Sequence, residues 1–176
     1  IKMMQVYVGT YEKYNNGSIA GKWLPIELFE DSNSFYEACK NLHSDELDPE
    51  LMFQDWEEIP EGLIGESYIN PIVFELSKLI KENFIDISDV IDYIETIGIN
   101  DMKQFTTANE LIDMYQDAVY GSFDSMRDFA YEFRDSTKSC TCSDCDCENY
   151  FDWDSYTRDL EYDFIISDKG NVYRRY

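Results

Sequence analysis

Charge, more than any motif, limits what this chain can become. Its 176 residues hold 37 acids against 14 Lys and Arg, a formal net charge of −23. The charge is also segregated. Between Lys40 and Lys78 lie ten acids and no intervening base, and residues 139–157 hold five more acids, again without a base. A surface built only for solubility intersperses both signs. Self-repulsion of this size works against a compact state, so a substantial core has to offset it. The material is present: 14 Tyr, 11 Phe and 3 Trp make 16% of the residues aromatic, which argues against disorder. The same balance excludes nucleic acid and anionic membrane surfaces as direct partners. No apolar run approaches the roughly 18 residues of a membrane span. The N-terminal residues read as a short strand and not as a signal segment, so the expectation is a soluble, cytoplasmic protein.

Local signals divide the chain. Gln5–Thr10 and Ile19–Ile26 read as strands joined through Tyr14-Asn15-Asn16-Gly17, since Asn and Gly both tolerate positive φ. Ser34 and Glu37 form a capping box for a helix to about His43, and Leu51–Trp56 alternates as a third strand. Asn70-Pro71 then opens a helix to about Phe84, and Ser88 caps another that Gly98 ends. Thr107 and Glu110 form a second capping box, with a helix to about Tyr120, and Ser122 starts one to about Asp135. A cysteine-rich loop follows, then a helix from about Asp152 to Glu161. A hairpin across Asp168-Lys169-Gly170 joins Phe164–Ser167 to Asn171–Arg175. The expected fold class is α+β, in three small domains. Residues 1–60 make an α+β domain with an antiparallel sheet, 61–105 a helical domain, and 106–176 a second α+β domain.

On these helices the acids line up. Glu110, Asp113 and Asp117 share a face opposite Leu111, Ile112 and Tyr115; Asp124, Asp128 and Asp135 share one opposite Met126, Ala130 and Phe133; Asp89 and Asp92 repeat the arrangement. Neighbours three or four apart sit about 5–6 Å from one another, and like charges there cost a few tenths of a kcal/mol per pair. The ordinary meaning of such a row is a solvated helix face, usually with Lys alternating. Here Lys is missing, which suggests a use for the repulsion. Duplex DNA carries one charge per ~1.7 Å of axis, so 23 charges correspond to about 39 Å of duplex. Rows of carboxylates on rigid elements fall in that range of spacing. The candidate partner-binding acids are these, together with Asp45, Glu46, Asp48, Glu50, Asp55, Glu57, Glu58, Glu61 and Glu66 from the base-free run. Asp152, Asp154, Asp159 and Glu161 join them near the C-terminus, where Tyr150, Phe151, Trp153 and Tyr156 are candidate core or dimer anchors.

The order of short motifs points to a family. Tyr7-Val8 leads into KYNNG (13–17), GKW (21–23) and FQDWE (53–57); NYFDWDSYTRDL (149–160) and a terminal hairpin close the chain. In this order, over residues 4–57 and 149–176, the sequence resembles the ArdA family of antirestriction proteins. The resemblance implies an elongated acidic protein of three small domains, a homodimer joined through its C-terminal domain. It implies a non-catalytic inhibitor, carried on mobile genetic elements of bacteria, that mimics bent DNA on type I restriction-modification enzymes. The family's antirestriction motif ends in a segment similar to Tyr150-Phe151-Asp152, but its upstream half is replaced here by CTCSDCDC.

That replacement raises a metal question. Cys140, Cys142, Cys145 and Cys147 offer four thiolates for Zn²⁺, yet without the usual C-x2-C pairs, and a reduced acidic loop explains them equally well. No other cofactor is expected. Cys39 and His43 stand at i, i+4, where a buried Cys beside a surface His is the simpler reading than a nucleophile and base. A single histidine and the lack of phosphate-binding glycine motifs leave little room for an enzyme. The alternative function is an acidic interaction module for some other basic partner.

Overall fold

β1 (Gln5–Thr10) is the centre of the N-terminal sheet, in a computed structural model that describes residues 3–137 and 151–175. Val6 and Val8 point inward and are fully buried, as period-2 alternation demands. Antiparallel partners flank it, giving the order β2-β1-β3, with β2 at Lys22–Pro25 and β3 at Leu51–Glu57. The β1–β3 register runs from Gln5↔Glu57 to Thr10↔Leu51, with a bulge between Tyr7 and Val8. The expected tight turn between the first two strands is absent. Thr10 instead caps a short helix, α1 (Tyr11–Asn15), by accepting from the Lys13 N–H at 3.3 Å. In the turn that follows, Gly17 takes φ 76° while Asn16 stays at −85°. The second strand is also shorter than expected: Ile19 is exposed, and Pro25 leads into a 3₁₀ turn at Ile26–Leu28.

The chain divides into two compact units, Ile1–Met114 and Tyr115–Tyr176. In the first, α2 (Ser32–Leu42) lays Phe35 against Phe53 of β3 and against Phe74 of α3 (Ile72–Glu82), with ring centroids 5.7 and 5.6 Å apart. The cap of α2 is Asp31 and not Ser34. Asp31 accepts from the Ser34 N–H at 2.8 Å while the Ser34 hydroxyl accepts from the Asp31 N–H at 3.2 Å, so the box lies one turn earlier. Asn70 accepts from the Ile72 N–H at 3.0 Å and starts α3 as expected. α4 (Ile87–Ile97) is capped by Asp86, accepting from the Ser88 N–H at 2.9 Å, so Ser88 is inside the helix; Gly98 closes it at φ 81°. A two-residue hairpin, β4 (Ile64–Gly65) with β5 (Tyr68–Ile69), is too short for periodicity to announce.

α5 (Ala108–Ala118) opens as read: Glu110 accepts from the Thr106 and Thr107 N–H groups at 2.6 and 3.3 Å. It stops two residues early. Val119–Ser122 forms β6, pairing antiparallel with β8 (Asn171–Arg174). The expected hairpin of β7 (Phe164–Ile166) and β8 is therefore part of a three-stranded sheet of order β6-β8-β7. α6 (Met126–Thr137) is opened by Ser125, whose hydroxyl accepts from the Asp128 N–H at 3.1 Å, and not by Ser122. α7 (Trp153–Asp163) is capped by Asp152, accepting from the Ser155 N–H at 3.0 Å. Phe129 and Ala130 of α6, Leu160 of α7, Phe164 and Val172 make the core of this unit. The fold class is α+β. No helix among the described residues is long and apolar enough to cross a membrane.

Candidate functional site

An amphipathic element places its acids by placing its apolar residues. On α5, Leu111, Ile112 and Tyr115 are buried, and Glu110, Asp113 and Asp117 are all exposed. On α6, Met126, Phe129 and Ala130 face the core while Asp128 and Asp135 are exposed. Asp124 is exposed too, but in the turn before α6, so it does not continue that helical face. Asp152, Asp154, Asp159 and Glu161 are exposed along α7, with Leu160 buried opposite. In the first unit Asp45, Asp48, Glu50, Asp55, Glu57, Glu61 and Glu66 are exposed.

Four candidates depart from this pattern. Asp92 is 5% exposed, so the α4 pair of acids is not a surface row. Tertiary packing covers α4 on that side as well, which helical periodicity does not register; Asp89 is half-buried. Glu58 is half-buried at φ 53°. Glu46 keeps 9% of its side chain exposed, accepts from the Thr10 hydroxyl at 2.6 Å and lies 3.4 Å from the Lys13 ammonium.

Several acids also hold their own elements together. The Asp152 carboxyl is held below the usual carboxylate range, first by the Ser155 backbone N–H and then by its hydroxyl; Asp31 is lowered first by the Ser34 N–H. Glu57 accepts from the Gln5 amide at 2.6 Å, and Glu75 from the Ala108 N–H at 3.2 Å. The Tyr11 hydroxyl is pushed up by burial, then by Glu66 and Glu50. Cations are used the same way. Lys81 pairs with Glu27 at 3.4 Å, and Arg127 pairs with Asp154 and donates to the Tyr131 hydroxyl. Arg134 lies 3.4 Å over the Phe151 ring.

The aromatic anchors form one cluster within the second unit. Phe151 packs on Trp153 and Tyr156 at 4.6 and 5.2 Å, and Trp153 on Tyr131 of α6 at 4.3 Å. These rings therefore join α7 to α6 inside the chain. Tyr150 lies outside the described residues, as do Cys140, Cys142, Cys145 and Cys147. Among the described residues no group of His, Cys, Asp and Glu has the arrangement to hold a metal ion.

The expected surface His43 is in fact buried, at 2% exposure. Its Nε2 lies 3.2 Å from the Val8 carbonyl, which can only accept, and its Nδ1 lies 2.9 Å from the Lys13 ammonium, which can only donate. Both ring nitrogens are thus occupied. Burial pushes the Cys39 thiol up to about 12, the reverse of what a nucleophile needs.

Comparison with curated proteins gives no match. The family profile described as antirestriction protein (ArdA) matches residues 6–173, from within β1 to within β8. With the match running from the first strand to the last, the chain belongs to the ArdA family of antirestriction proteins.

Proposed function

We propose that this chain acts as a mimic of duplex DNA. It occupies the DNA-binding site of a type I restriction-modification enzyme and inhibits it stoichiometrically, without chemistry of its own. One observation carries the reading. On each of α5, α6 and α7 the acids stand on an exposed face while other residues of the same helix are buried, so their spacing along that helix is held by the fold. Flexible acidic tails lack that property. A net charge of −23 then presents a field like that of a phosphate backbone to a basic cleft. The family's antirestriction function agrees with it. The protein acts in the bacterial cytoplasm, as three small domains in each subunit of a homodimer joined through the C-terminal domain.

The test is a titration of type I restriction cleavage. Inhibition should reach completion near one inhibitor per DNA-binding site and weaken as salt rises, since screening shortens the reach of surface charge. Full cleavage at stoichiometric excess contradicts the proposal for that enzyme. Activity against some other basic protein, with cleavage untouched, would favour a general acidic binding module.

A further inference from the structure

The motif KYNNG begins with a lysine that mimicry does not explain. Lys13, on α1, has only 19% of its side chain exposed. Its ammonium lies 2.9 Å from the Asp45 carboxylate, 3.4 Å from Glu46 and 2.9 Å from His43 Nδ1. Two of these partners are themselves tied to the sheet. Glu46 accepts from the hydroxyl of Thr10, which is fully buried, and His43 donates to the Val8 carbonyl. Beyond them, the Tyr11 N–H donates to the Glu50 carbonyl at 3.0 Å. The segment so held, residues 43–50, is neither helix nor strand, and carries Asp45, Glu46, Asp48 and Glu50. Four like charges in six residues repel, and few backbone hydrogen bonds oppose them. Among the described ion pairs, Lys13 is the cation that reaches this segment.

We propose that Lys13 is a positioning residue: it clamps the acidic segment 43–50 onto the N-terminal sheet and so fixes Asp45, Asp48 and Glu50 where the target enzyme meets them. The proposal rests on the DNA-mimic reading and adds to it a cation that mimicry requires. Asp45 supports it from the other side, since Lys13 holds its carboxyl below the usual range. The consequence runs against net charge. Removing any lysine makes the protein more negative, and a field-only mimic should then bind its target as well or better. Removing Lys13 should weaken binding, because a loosened segment must be ordered again at the interface.

The experiment compares Lys13→Met with Lys103→Met, an exposed lysine elsewhere in the same unit. Two readouts are taken: amide hydrogen exchange, and displacement of DNA from a type I methyltransferase. For Lys13→Met the amides of residues 43–50 should exchange faster while those of β1 and α3 do not change. About three- to tenfold more protein should be needed to displace DNA, the scale of losing preorganisation at a few side chains. Lys103→Met should displace DNA as well as the wild type or better. In an Asp45→Asn background, Lys13→Met should have a smaller effect, the coupling expected of partners in contact. If Lys13→Met does not fold, Asp45→Asn, on an exposed carboxylate, reads the same exchange from the segment's side. Unchanged exchange at 43–50 overturns the clamp. So does faster exchange with undiminished displacement, because position would then not matter to the target. Wild-type protein that displaces no DNA overturns the mimic reading instead, and exchange alone then decides the clamp.

Discussion

His43 and Cys39, the pair that stands at i, i+4 as a conceivable base and nucleophile, are each committed to the core. At neutral pH a thiol raised to about 12 is almost wholly protonated. Cys39 should therefore resist alkylation in the folded protein and react once denaturant is added. Peptide mapping distinguishes it from the clustered cysteines, and rapid labelling of Cys39 in native buffer would contradict its burial. Lys13 and Asp45 give a pH prediction. Asp45 is lowered in the folded state, so its contribution is present above the unfolded carboxylate range and is lost as pH falls through its folded value. Lys13 is raised, first by its hydrogen bond to Asp45, so its contribution is present below the unfolded lysine range and is lost as pH rises through its folded value. Denaturation midpoints should be flat around neutrality and fall in acid, and Asp45→Asn should flatten the acid limb slightly. An acid limb unaltered in that variant would place Asp45 outside the network. These partnerships were not readable in the sequence. Thirty residues separate Lys13 from His43, and a local pattern carries no information about which lysine reaches which loop. Asp92 shows the same limit from the other direction.

Elements were readable where one stretch contains its own reason for being. Thr107 with Glu110, Asp152 before α7, and Gly98 after α4 each satisfy helix ends within a few residues, and each is where the sequence placed it. Gly98 has φ 81° and open space around it, so Gly98→Ala carries backbone strain without steric clash. It should destabilise the protein by about 1–2 kcal/mol, measured by chemical denaturation. A neutral result would mean that the helix end can relax. β6 was not readable, because Val119–Ser122 becomes a strand only through β8, some fifty residues later, while the helical period simply runs on into it. The capping errors at α2, α4 and α6 share a cause. Ser and Asp both cap well, and where two such residues lie within one turn, tertiary structure chooses. In the second unit Phe129 is fully buried among Tyr120, Phe123, Phe133 and Phe164, with centroids 4.9–5.4 Å away. Phe129→Ala should cost about 3–5 kcal/mol, lowering the denaturation midpoint accordingly. A loss below about 1 kcal/mol would show that this cluster is not the core of its unit.

For the molecule as a whole, the account rests on charge distributed over a folded frame. Most of the acid surface could be read from sequence, since an exposed helical face follows from its buried counterpart. A distributed field predicts tolerance of single changes. Asp117→Asn should leave inhibition nearly intact, whereas replacing Asp55, Glu57, Glu58 and Glu61 together with amides should weaken it visibly. If one neutral substitution abolishes inhibition in a folded protein, a discrete contact is responsible and the distributed account fails. The most direct measurement is displacement of a fluorescent duplex from a type I methyltransferase, followed by anisotropy as this protein is added at two salt concentrations. The account predicts complete, competitive displacement, with the apparent affinity of the protein for the methyltransferase falling as salt rises. Inhibition of the enzyme while the duplex remains bound would contradict it.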